Sequence, residues 1–287
     1  MQQTFEVSGP VELDLRVAAG EIEIDPSLEG RVEIELTAYD DETQRAVDAA
    51  RIELQENRDR PRVLVDVPLR RGGFGFALVF GRSGVTCRVR CPEGSVVHVR
   101  SKSTDLRARG AIGALNVQTA SGDVEVDRVL GDLNVKSASG EVEAREIGGS
   151  ASIQTASGDV QIGVVRGPVT IAAVSGDVSI GAADDNVSTN TVSGDQQHGA
   201  VMSGRVAAQS VSGDVLIGVR RGSRVFLDCN TVSGDTSSEL ELTSDAPAGD
   251  GPLVEIKAKT VSGDITITRA APPESKPPAP SEQEVHA

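Results

Sequence analysis

The chain has 287 residues, a formal charge of -15 and 2% aromatic residues, with no Trp. That charge excludes a nucleic-acid footprint and simple electrostatic docking on anionic lipid, both of which need clustered basic residues. The near-absence of aromatic rings removes sites that stack sugars or bases, and it calls for a thin aliphatic core.

The opening MQQTFEVSGP has neither a basic segment nor an apolar one, so no export signal is visible and a cytoplasmic location is expected. Alternating strands follow at 11–17, 21–24 and 31–38. Asp41 with Gln44 makes a capping box for a short helix over 41–51, with Val47, Ala50 and Leu54 along one side. A hairpin of 51–56 with 61–67 comes next, and then another strand pair near 85–100. Residues 1–100 are expected to be a β-rich module that caps the first coil of the array behind it.

Two features interrupt this module. The segment RRGGFGFALVFGRSG (70–84) holds Phe74, Phe76 and Phe80 among glycines, with Arg70, Arg71 and Arg82 beside them. Packed down, it is core. Projecting, it is an apolar tip for a partner or for peripheral contact with a membrane surface. Cys87 and Cys91 stand four residues apart in CRVRC, roughly 13 Å along a strand, too far for a disulfide or a shared zinc. They and Cys229 read as small buried hydrophobes.

Beyond residue 100 the chain repeats. Ser-Gly-Asp or Ser-Gly-Glu begins at Ser121, Ser139, Ser157, Ser175, Ser193, Ser212, Ser233 and Ser262, in steps of 18, 18, 18, 18, 19, 21 and 29, with a degenerate copy at Ser103-Thr104-Asp105. The three larger steps read as insertions. A six-residue period from Val124 fails at Lys136, Gly148 and Gln154. A nine-residue period succeeds: Leu106, Leu115, Val124, Leu133, Val142, Ala151, Val160, Val169, Val178 and Val187 are all apolar. The column two residues later is apolar from Ala108 to Ile180, and polar residues separate the two. That is a strand buried on one face. The fold class is therefore all-β: a parallel β-solenoid of about 18 residues per coil over 101–268, made of two nine-residue half-repeats, with eight or nine coils. Gly in the turn supplies positive φ, and Ser and Asp bond nearby amides. The proline-rich tail, 269–287, is expected to be disordered.

The first hundred residues, followed by Thr119-Ala120-Ser121-Gly122-Asp123-Val124, Thr155-Ala156-Ser157-Gly158-Asp159-Val160 and Thr260-Val261-Ser262-Gly263-Asp264-Ile265, resemble a bacterial β-strand-repeat family labelled "putative adhesin", whose function is unknown. CPEGSVVHVRS (91–101) matches that family's strand leading into the first coil. The resemblance covers roughly residues 1–268. It implies a right-handed β-solenoid and a cell-envelope connection, and it carries over no catalytic residue.

The acidic column Asp123, Glu141, Asp159, Asp177, Asp195 and Asp214 is a candidate calcium ladder, since calcium-binding β-rolls also use nine-residue half-repeats. Turn capping explains the column without a metal, so neither metal nor cofactor is expected. The Thr/Ser column before the turn (Thr119, Ser137, Thr155, Thr191, Ser210, Thr231, Thr260) is either a flat ligand ladder or a set of corner hydroxyls bonded to backbone. His98, His198 and His286 share no triad or ligand spacing, and His198 with Gln196 marks a locally irregular coil. The leading functional expectation is a non-catalytic interaction or scaffolding solenoid, linked to the envelope by resemblance, whose protein or envelope partner is unidentified. The alternatives are a surface adhesin, calcium-stabilised and exported by an unseen route, and a carbohydrate-active β-helix enzyme. The enzyme is disfavoured by the missing long loops and sugar-stacking aromatics.

Overall fold

The computed structural model describes residues 1–57, 59–68, 84–240 and 251–270. Phe74, Phe76 and Phe80, the whole of 70–83 and the tail from residue 271 lie outside the described residues. Among those described, two facing sheets of 13 and 12 strands enclose one continuous aliphatic core. Eleven strands of each sheet run parallel and stack level upon level. The levels in the middle of the rod lie 18 residues apart, as Val124↔Val142, Val142↔Val160 and Val160↔Val178 show.

Both nine-residue columns point inward and are at most 3% exposed from Leu106 to Val187. A third inward column stands at the corner beyond them: Ile112, Val129, Ile147, Val165, Ala183, Val201 and Val219. From Val129 to Val201 it follows its neighbour after three residues rather than two, so a period-2 search passes over it.

Levels do not follow chain order at either end. Glu12–Val17 and Ala19–Asp25 form a level lying between Arg62–Val67 with Val85–Arg90 on one side and Val96–Arg100 with Ser103–Ile112 on the other. The strands near 85–100 therefore lie in different sheets and do not pair with each other. These three levels raise the count above the eight or nine read from the repeat alone, for a parallel stack about 50 Å long. At the far end Leu253–Ser262 and Ile265–Arg269 pair with Gly204–Gln209 and Val215–Val219, while Arg224–Ser233 and Thr236–Ser238 form the outermost level. The steps of 21 and 29 residues accompany a swap in stacking order: Ser212 bridges to Ser262, not to Ser233.

The helix is Asp41–Asp48, with its N-cap at Asp40. Asp40 Oδ1 accepts from Thr43 N at 2.7 Å, and Asp40 N donates to Thr43 Oγ1 at 3.0 Å, so the capping box begins one residue earlier than expected. The Thr43 amide first, and then the Thr43 hydroxyl donating to the same carboxylate at 2.8 Å, hold the Asp40 carboxyl below its usual range. Val47 is buried, whereas Leu54 belongs to the strand Arg51–Gln55. That strand and Arg62–Val67 form the expected hairpin. Cys87 and Cys91 are buried free thiols, both pushed up to about 12 by burial, which keeps them protonated and inert.

Candidate interaction surface at the Ser-Gly-Asp corner

The repeated turn builds one long edge of the rod. At Gly122, Gly140, Gly158, Gly176, Gly194, Gly213, Gly234 and Gly263, φ lies between +117° and +146°. Each of these glycines also sits against the carbonyl of the residue stacked at its own position in the neighbouring level. Gly20 belongs to the same column, at φ +127°. Its local sequence, Ala19-Gly20-Glu21-Ile22, is a Ser-Gly-Asp-Val corner in disguise, and this is the signal by which the first level was findable.

The acidic column follows the glycines. Asp123 Oδ1 accepts from Glu141 N at 2.9 Å, Asp159 Oδ1 from Asp177 N at 2.8 Å and Asp177 Oδ1 from Asp195 N at 2.8 Å. The ladder continues from Asp195 to Asp214, then to Asp264 and Asp235, each at 2.8 Å. One oxygen of Asp123, Asp159, Asp177, Asp195, Asp214 and Asp264 is therefore occupied by the amide of the next level. Among the described residues no group of three or more His, Cys, Asp or Glu converges as a metal-holding cluster. Asp177→Ala is expected to cost about 1 kcal/mol in chemical denaturation by stranding the Asp195 amide, and Asp177→Asn, which keeps an acceptor, far less.

The hydroxyl column faces into the corner. Thr119 and Ser137 donate to the carbonyls of Ser121 and Ser139 at 2.7 and 2.8 Å, and Thr155 donates to that of Ser157 at 3.1 Å. Thr155, Thr191, Ser210 and Thr260 are 4–6% exposed. Thr119, Ser137 and Thr155 thus satisfy turn backbone from within.

What the corner presents outward is the residue between hydroxyl and Ser. In the first copies it is Ala120, Ala138 and Ala156, and thereafter Val174, Val192, Val211, Val261 and Val232. The stacking order sets those five valines in succession at the strand spacing. Val174, Val192, Val211 and Val261 are 48–52% exposed and Val232 is 79% exposed. An apolar ridge about 20 Å long thus runs beside the exposed carboxylates Asp177, Asp195, Asp214, Asp264 and Asp235.

One level carries polar groups in the core. Gln196 and His198 occupy the two inward columns, in register with Val178 and Ile180, so the strand Gln196–Val201 is regular on that side, and the register shifts only toward Val215–Val219. Thr189 Oγ1 lies 2.5 Å from Gln196 Oε1 and 3.2 Å from His198 Nε2. Gln196 Nε2 donates to Thr191 Oγ1 and to the Gln209 carbonyl, at 2.8 and 2.7 Å. His198 is 1% exposed, and burial lowers its pKa to about 4, so the ring is neutral. His198 Nδ1 and Ser210 Oγ are buried without a hydrogen-bond partner among the described residues.

Two parallel sheets, glycine corners stacked in register and a largely aliphatic interior define a β-solenoid of the toastrack type. The chain belongs to the Toastrack DUF4097 family, whose profile matches residues 11–268. A "putative adhesin" from Bacteroides fragilis is similar at 13% identity and TM-score 0.46, with 93% of this chain and 96% of that one covered. A "putative adhesin" from Parabacteroides distasonis gives 12% and 0.44, with the same coverage. A "putative lipid binding protein" from that organism gives 11% and 0.37, covering 94% and 96%. No curated protein matches. Among the described residues no helix is long and apolar enough to cross a membrane.

Proposed function

We propose that the protein is a non-catalytic, rigid interaction module that holds a protein partner along the valine ridge of its Ser-Gly-Asp corner. The observation that carries this reading is the ridge itself: five stacked valines about half exposed or more, bordered by five carboxylates. Beside the ridge, corner carboxylates and hydroxyls such as Asp123 and Thr155 are spent on the protein's own backbone, and the inward columns are spent on the core. A contiguous exposed apolar strip on a strongly acidic rod suits a partner surface that is apolar along its centre and basic along one flank.

A photo-crosslinking residue at position 192 in native cells tests this, with position 197 on the flat sheet face as control. A discrete adduct is expected at 192 only, and it should disappear when Val174, Val211 and Val261 are changed to Ser without loss of fold. Equal adducts at both positions, or none at 192, would sink the proposal. Fractionation and protease shaving of intact cells then report whether the partner is met inside the cell or at its surface.

A further inference from the structure

The two ends of the rod are finished differently. At one end the outermost strands, Gln2–Glu6 and Arg51–Gln55, are antiparallel to their neighbours and carry charge, with Arg51 paired to Glu53 at 2.6 Å. Charged edges resist further pairing. At the other end the outermost strand of the longer edge is Arg224–Ser233, and its partner among the described strands is Leu253–Ser262 alone. Its ten residues, RVFLDCNTVS, contain no Pro or Gly, and one Arg balances one Asp in a chain of charge -15. Its core-facing Val225, Leu227 and Cys229 are only partly buried, whereas Val254, Ile256 and Ala258, one level in, are 0% exposed. On its outer side Phe226 is 55% and Val232 79% exposed. Among the described residues, half a core layer and a neutral, β-prone edge have no further strand beside them.

We propose that this end is a self-association face, on which a second copy of the chain docks its own Arg224–Ser233 strand antiparallel about a two-fold axis. Two identical edges brought together by a two-fold axis across the rod must run antiparallel. Inward residues meet inward residues only if the axis passes through a residue. An axis at Asp228 sets two carboxylates face to face, and one at Leu227 sets Phe226 against Asp228 and leaves Val232 uncovered. An axis at Cys229 places Phe226 opposite the second copy's Val232, Leu227 opposite its Thr231, Asp228 opposite its Asn230 and Cys229 opposite its own counterpart. That register covers the two most exposed apolar side chains of the strand and opposes no like charges. Because the far end is charged and antiparallel, assembly stops at two copies. The net charge of each copy weakens the pair, so salt tightens it.

Sedimentation velocity on the full chain, from about 1 to about 200 µM, provides the test, since so small a face implies micromolar affinity. The mass should rise from 29.8 kDa to twice that value, at lower concentration in higher salt. Val232→Lys, which leaves the core untouched, should weaken the dimer at least tenfold, and Leu227→Lys should abolish it, with circular dichroism confirming both folds. Val192→Lys, in the middle of the ridge, should leave the dimer intact. Mild oxidation should trap wild type as a dimer but not Cys229→Ser, because directly opposed antiparallel residues lie within disulfide reach. A monomer throughout, a filament, a dimer indifferent to Val232→Lys, or a dimer that oxidation never traps would each overturn the proposal. So would a monomer whose Arg224–Ser233 amides resist hydrogen exchange, because the chain would then be closing its own end.

Discussion

Gly158→Ala is expected to lower stability by roughly 3–5 kcal/mol. Two costs coincide. At φ +126° an L-residue is strained wherever it sits, and the new Cβ would fall on the Gly140 carbonyl, a backbone atom that cannot rotate away. Relief requires the two levels to part, which lengthens the ladder bonds on both sides of the corner. The neighbouring Ala156→Val change is the control. Position 156 points outward, and the five copies from residue 174 onward carry Val there, so its cost should stay within about 0.5 kcal/mol. Urea denaturation of the two variants beside wild type separates them. A loss below about 1 kcal/mol for Gly158→Ala would mean that the corners flex independently and that the column is not in close register.

The second large effect is a loss of stability in mild acid that originates in the buried imidazole of His198. Its pKa is about 4 in the folded protein against an ordinary 6.5, because burial disfavours the charged ring. Between those values the unfolded chain binds a proton that the folded chain refuses, so the contribution is fully present above pH 6.5 and falls as the pH drops toward 4. The two values imply a loss of about 3 kcal/mol across that window, at 1.36 kcal/mol per unit. Below it the folded ring also charges and the loss levels off.

Restoring the aliphatic columns should remove the slope. The levels on either side place Val178 and Val215 at the Gln196 position, Ile180 and Ile217 at that of His198, and Ile171 and Ala208 at that of Thr189. The triple variant Thr189→Val, Gln196→Val, His198→Ile is therefore expected to be flat from pH 6.5 to 4.5 in this contribution. Gln196→Val alone should cost about 1–3 kcal/mol, because the Thr191 hydroxyl and the Gln209 carbonyl lose their donor. Thermal melts at pH 7.5, 6 and 4.5 for wild type and triple variant give the comparison, and an unchanged slope in the triple variant would assign the acid loss elsewhere.

Much of this architecture is written along the chain. Strand periodicity, the 18-residue coil and the glycine turn are local properties: each depends on which side chain alternates with which, and on a backbone angle that only glycine takes without strain. The carboxylate and hydroxyl columns were legible for the same reason, as repeated residues at a repeated turn. Their partners were not. That Asp177 accepts the Asp195 amide, while Thr155 is spent on the Ser157 carbonyl, depends on how one level lies over the next.

The sequence by itself determined the coil, its length and the chemistry of its corner, because those follow from interactions within a coil or between coils of identical spacing. The tertiary structure alone decided which coil lies next to which at the two ends. Every level offers the same parallel edge and the same aliphatic columns, so once a connection is long enough to reach, spacing no longer names the neighbour. That choice set Glu12–Asp25 between two later coils and put Leu253–Arg269 inside Arg224–Ser238. It aligned Val211, Val261 and Val232 into one ridge and left Arg224–Ser233 as the last strand. The surfaces from which function is proposed are products of that stacking order.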